Sequence, residues 1–128
     1  MNELLLGIDA AALDAVTCDE TGFFSRRYCF NDRFAGFSGH FPGYPILPAI
    51  VAILTVVSLA GVQYGAPQRL IAVEDAKFLA PIRPNTEVLV ECRRKNVRGR
   101  ILHEAKLTVG GTSASSFLLE LSGAEEEQ

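Results

Sequence analysis

The sequence predicts an α+β protein in which an antiparallel sheet wraps around one long central helix. Two observations carry this reading. The longest apolar stretch, Ile46 to Tyr64, shows no polar face, as expected of a helix buried all round. After it the pattern changes to four runs with partial period-two alternation, separated by turn residues, as expected of meandering strands.

Each element has its own local signals. Leu4, Leu5, Ile8, Ala12 and Leu13 fall near helical spacing, so Met1 to Val16 reads as a short helix or helix plus turn. Asp19-Glu20-Thr21-Gly22 is turn chemistry. Phe23 to Phe30 is an aromatic-rich strand with Phe24, Tyr28 and Phe30 on one face. Asn31 to Tyr44 is a glycine- and aromatic-rich loop, and an irregular loop of that length is more often functional than a mere connector. Pro48 suits the first turn of the helix, where a missing N–H costs nothing. Gly61 and Gly65-Ala66-Pro67 end that helix. The four later strands are Leu70 to Leu79, Glu87 to Arg94, Arg100 to Val109 and Ser113 to Leu121. Pro81-Ile82-Arg83-Pro84-Asn85, Asn96-Val97-Arg98-Gly99 and Gly110-Gly111-Thr112 separate them. One strand, one buried helix and four meandering strands make the hotdog architecture.

With 128 residues, 48% of them hydrophobic, the chain suits a single domain over 1–128. Its core is expected over about 20–122, with 123–128 a flexible acidic tail. A net charge of −3 and a pI of about 5.3 argue against a general nucleic-acid binder. Cys18, Cys29 and Cys92 are odd in number and widely spaced, so reduced thiols are expected rather than disulfides or a metal site. The first residues lack the basic start and long apolar run of a signal peptide. Ala49 to Val62 is too short to span a membrane. A cytoplasmic protein without cofactor or metal is expected.

The chemistry concentrates in the loop before the helix. No Asp, Glu, Lys or Arg occurs between Arg33 and Arg69, and His40 lies inside that stretch. Gly39 and Gly43 let the backbone approach a ligand, Pro42, Pro45 and Pro48 stiffen the segment, and a helix N-terminus follows at once. Gly39-His40-Phe41-Pro42-Gly43-Tyr44-Pro45-Ile46-Leu47-Pro48 resembles the GHFPGxPxxPG signature of bacterial 3-hydroxyacyl-acyl-carrier-protein dehydratases of the FabZ and FabA type, agreeing at seven of its eight fixed positions. Lys77-Phe78 and the following Pro81-Ile82-Arg83-Pro84 are similar to that family's basic-Phe pair and Pro-x-x-Pro turn.

The resemblance implies a hydro-lyase acting on a thioester carried by acyl carrier protein or coenzyme A, in fatty acid or polyketide-type metabolism. It makes His40 the base that removes the Cα proton, with the Ala49 N–H an oxyanion donor and Gly43 and Tyr44 beside the substrate. It also implies a homodimer or higher oligomer, since one protomer alone leaves part of its apolar helix and a strand edge uncovered. Two departures stand out. The signature's last Gly is Ala49, whose N–H survives; and the helix acid expected fourteen residues after the histidine is Leu54. The polar residue one turn later is the small Ser58.

Substitutes for that acid are limited. Glu74 shares a strand face with Leu70, Ala72, Ala76 and Phe78, and His103 one with Ile101, Ala105, Leu107 and Val109; each is expected to be a rim or hydrogen-bonded strand residue. Asp32 lies in ordinary turn composition, and Tyr44 carries a hydroxyl near the histidine. Arg93, Arg94, Lys95, Arg98 and Arg100 place five of twelve positive charges on one hairpin. That hairpin is either a solvated, edge-protecting feature or a dock for an acidic carrier protein or coenzyme A phosphates. Alternatives to the dehydratase are a non-catalytic acyl-binding hotdog subunit and a hotdog acyl thioesterase.

Overall fold

A computed structural model describes residues 3–37, 43 and 45–123. The expected tail from 124 onward lies outside the described residues, apart from Gly123, which ends the last strand. In chain order the elements are α1 (Glu3–Ala10), β1 (Thr17–Cys18), β2 (Phe23–Cys29), a 3-10 turn (Ala35–Phe37), α2 (Ala49–Tyr64), β3 (Gln68–Phe78), β4 (Glu87–Val97), β5 (Arg100–Val109) and β6 (Thr112–Gly123). The strands form one antiparallel sheet in the order β1-β2-β4-β5-β6-β3, so β3 is an edge strand. This is the α+β hotdog fold, with α2 packed into the curve of the sheet.

The core forms where the apolar sides of helix and sheet meet. Val56, Leu59 and Ala60 of α2 pack with Phe24 and Tyr28 of β2, Val88 and Val90 of β4, Leu107 of β5 and Leu119 of β6. Each fully buried Val, Leu or Phe contributes about 1.5–3 kcal/mol, which explains why the apolar helix is held despite its β-branched residues. Thr55 is fully buried, and its hydroxyl donates to the Val51 carbonyl at 2.8 Å, so its polarity is satisfied inside the helix. Gly65 ends α2 in the left-handed region at φ 70°, and the following Ala66 N–H closes back on the Gly61 carbonyl at 3.1 Å. After β2, Phe34 bridges Phe30 and Phe37 at ring separations of 4.7 and 5.7 Å, which anchors the chain as it enters the signature loop.

Two expectations need correcting. The helix is not buried all round: Ile50 and Val62 are 54% and 46% exposed, and Leu54 and Ser58 between them are only half-buried. These four positions recur every four residues and so share one face, the one a single sheet does not reach. Glu74 does not sit on a continuous inward face either. The β3–β6 register shifts between Glu74 and Lys77, where Asp75 takes φ 51°, and Ala76 and Phe78 beyond it are exposed. An extra residue in one strand breaks the alternation that period-two reading assumes.

Candidate active site

The segment leading into α2 is shaped by its prolines and one glycine. Gly43 has φ 82°, a left-handed conformation that a side chain would strain. The Leu47 N–H donates to the Ile82 carbonyl at 2.7 Å, which pins this segment to the β3–β4 connection. Pro48 is the N-cap, with φ −62° and ψ 149°, and no side chain caps the helix. The Val51 and Ala52 N–H groups donate to the Pro48 carbonyl at 3.0 and 3.1 Å. Among the described residues the first-turn N–H groups of Ala49 and Ile50, at the positive end of the helix dipole, have no side-chain partner.

That end of α2 opens into a groove of about 330 Å³, walled by Ile46, Pro48, Ala49, Phe78, Leu79 and Ser115. Among the described residues no charged one lines it. Ser115 is 2% exposed, and its Oγ has no hydrogen-bond partner among the described residues. The β5–β6 register shifts between Leu107 and Thr108, and beside that irregularity Ala114 and Ser115 are buried in succession. An apolar groove ending at unpaired N–H groups suits a neutral chain whose carbonyl oxygen gains negative charge during reaction.

His40 and Tyr44 lie outside the described residues, as do Gly39, Phe41 and Pro42. Of the described site positions, Ala49 lines the groove and Gly43 does not, whereas Leu54 lies along α2 on its partly exposed face. Glu74 is engaged elsewhere: its Oε2 lies 2.6 Å from Arg100, which also contacts Glu120 at 2.9 Å. The Glu74 hydrogen bond, followed by that of Glu120, holds the Arg100 guanidinium above its usual range. Asp32 sits in an exposed turn.

The basic hairpin divides rather than forming one patch. Arg93 lies over the Phe23 ring at 5.5 Å, Arg94 over Tyr64 at 5.8 Å, and Lys95 pairs with Glu104 at 3.5 Å. Arg98 occupies the hairpin turn with φ 53°, next to Gly99, whose N–H donates to Asn96 Oδ1 at 3.0 Å.

Sequence reasoning gave His103 no partner. The structure places its Nε2 2.7 Å from the Tyr64 hydroxyl, at the end of α2 remote from the groove. Sixteen residues of helix put the two ends about 24 Å apart, so His103 does not serve the groove. Burial, and next the Arg94 charge, pull the His103 pKa down to about 4, and burial pushes the Tyr64 hydroxyl up to about 12. Between pH 6.5 and about 4 the unfolded chain thus binds a proton that the folded chain refuses. Stability contributed by neutral His103 is full above pH 6.5 and is lost as pH falls toward 4, by at most about 3 kcal/mol. Urea unfolding at stepped pH should show this slope, and His103→Gln should remove it; an identical slope in the variant would assign it to other groups.

Comparison with known proteins bears on the family and the fold. Residues 19–116 match the ApeI-like family, described as ApeI dehydratase. The chain is similar to the 3-hydroxyacyl-acyl-carrier-protein dehydratase FabZ of Novosphingobium aromaticivorans, 32% identical over 105 residues, covering 73% of this chain and 64% of the relative. It is 31% identical over 74 residues to the FabZ of Granulibacter bethesdensis, covering 51% and 44%. The chain spans about half the length of several of the curated relatives it matches, the Granulibacter protein among them. Among solved structures it resembles the dehydratase heterocomplex ApeI:P from Xenorhabdus doucetiae, with TM-score 0.70 and 19% identity over 86% of this chain and 95% of the other. A protein from Erwinia carotovora aligns with TM-score 0.68 and 23% identity, covering 91% and 98%.

Proposed function

The chain belongs to the ApeI-like dehydratase family, and we propose that it removes water from 3-hydroxyacyl thioesters carried on acyl carrier protein. The observation that carries this reading is the uncapped start of α2 opening into an uncharged groove directly after the signature segment. In the proposed reaction the thioester carbonyl accepts from the Ala49 N–H. The groove takes the acyl chain, and Gly43 and Tyr44 of the signature segment are assigned to substrate binding. His40 removes the Cα proton, and the electron pair moves to the thioester oxygen before expelling the β-hydroxyl. The departing hydroxyl needs a proton, which Leu54 cannot supply, so in this chain alone the His40 imidazolium returns to it the proton taken from Cα and water leaves. Carrier docking is assigned to the basic hairpin, chiefly Arg98 at its tip, because Arg100 contacts two carboxylates, Lys95 pairs with Glu104, and Arg93 and Arg94 lie over the Phe23 and Tyr64 rings. The reaction belongs to fatty acid or polyketide-type metabolism in the cytoplasm.

Assembly is part of this reading. The half-exposed α2 face of Ile50, Leu54, Ser58 and Val62, with the edge strand β3 exposing Ile71 and Val73, supports pairing with a second hotdog chain. Light scattering at micromolar concentration should return a dimer, and Ile50→Asp should shift it toward monomer; a wild-type monomer would remove this part of the proposal. A second reading follows from Leu54. The chain is a subunit whose partner brings the missing acid, an arrangement supported by the similar fold found in a dehydratase heterocomplex.

The test is incubation of the purified chain, alone and with a co-purified hotdog partner, with 3-hydroxyacyl-carrier proteins and 3-hydroxyacyl-coenzyme A of several lengths. Mass spectrometry should detect the enoyl thioester. Release of free acid would favour a thioesterase. Tight acyl binding without product, under both conditions, would favour the non-catalytic subunit.

A further inference from the structure

We propose that the cavity at the C-terminal end of α2 is a second ligand site, which takes a small carboxylate with an apolar body. The cavity holds about 310 Å³ and is walled by Tyr64, Gln68, Arg94, Ile101, His103 and Leu121. Among the described residues its only formally charged lining residue is Arg94, which favours an anion. Ile101 and Leu121 offer apolar contact for the rest of the ligand.

The donor set is built rather than accidental. Tyr64 is fixed edge-on against Phe24 and against His103, each at 5.7 Å between ring centres, and Arg94 lies across its face. His103 is 5% exposed, and its Nδ1 is buried without a partner. A neutral imidazole carries one N–H, and leaving a buried N–H unpaired is less tolerable than leaving a lone pair. The proton therefore sits on Nε2 and donates to the Tyr64 oxygen. Tyr64 then cannot donate to His103, and its own O–H is left to point into the cavity beside the Arg94 guanidinium. One hydroxyl donor and one guanidinium suit a carboxylate; a phosphate dianion would call for more positive charge. The negative pole of α2 is blunted here, because the Gly61 and Val62 carbonyls already accept from Ala66 and Gly65. Gln68 at the rim is held by its amide, one N–H of which donates to the Ala66 carbonyl at 3.0 Å. In this arrangement His103 is a positioning residue, and Tyr64 and Arg94 touch the ligand.

The chain holds two histidines, so nitrogen NMR of the whole protein resolves them. His103 should show the Nε2-protonated tautomer between pH 6 and 8. Sodium hexanoate should shift its ring signals saturably, whereas hexanamide should bind at least about tenfold more weakly. Arg94→Gln and Tyr64→Phe should each lower hexanoate affinity by about tenfold, the loss expected of one hydrogen bond to a charged group. The Nδ1-protonated tautomer, equal binding of hexanamide, equal binding of inorganic phosphate, or an unchanged affinity in Arg94→Gln would each overturn the proposal. Arg94 is exposed and its removal leaves the core intact, so that variant decides the matter even if Tyr64→Phe unfolds. No readout depends on thioester turnover, so failure here leaves the dehydratase reading standing, and the reverse.

Discussion

His40→Asn is expected to lower turnover of 3-hydroxyacyl-carrier substrates by about 10²–10⁴-fold, the usual cost of losing a positioned general base. Asn keeps a polar side chain that can hydrogen-bond, but it cannot take a proton. The features proposed to bind the thioester, the Ala49 N–H and the walls of the groove, belong to segment 46–48, α2, β3 with its connection to β4, and β6, and the change replaces none of these residues. Binding of a non-hydrolysable acyl-pantetheine analogue should therefore persist. Turnover lost with binding retained fits a base. Binding lost in a chain that had no turnover fits an acyl-binding subunit. If neither quantity moves, His40 has no part in the chemistry and the proposed mechanism falls with it.

What could be read ahead of the structure follows from how local each signal is. β2 was expected from Phe23 to Phe30 and runs Phe23–Cys29, and β5 runs over the expected Arg100–Val109. Strong turn residues flank both, and backbone geometry at such residues is decided within a few positions. The start of α2 was equally legible, because Pro48 can begin a helix but cannot sit inside one. Features that depend on register were not legible. The bulge at Asp75 turned Ala76 and Phe78 away from the expected face, and the irregularity between Leu107 and Thr108 lies beside the buried Ser115 in the groove wall. Nothing in the local sequence marks either. Tyr64 and His103 are 39 residues apart, and only the pairing of β4 with β5 and the end of α2 brings them together. The exposed α2 face was misread for another reason: apolar periodicity reports what is kept from water, whether the chain itself or a second chain does the covering.

That distinction decides what Leu54→Glu should do. In a homodimer of this chain the proposed site lacks a second acid–base group, and the substitution is expected to raise dehydratase turnover by about 10²–10⁴-fold, the range one such partner supplies. The position suits the change. Leu54 is half-buried on the face it shares with Ile50, Ser58 and Val62, so a longer carboxylic acid has room to extend without displacing the core. Ser58 lies one turn on, at the spacing where helix side chains meet, and its hydroxyl can hydrogen-bond the new carboxyl. Covering by a second chain would raise the pKa of that carboxyl, and an acid kept protonated near neutral pH is the form the departing hydroxyl needs. The gain should vanish when His40→Asn is added, because the two groups act on one elimination and not independently. In a complex with an acid-bearing partner the same substitution should change little, since the proton is already supplied. Unchanged turnover of a folded homodimer would show that the groove itself no longer holds a 3-hydroxyacyl chain for elimination, which leaves acyl binding as the activity the fold retains.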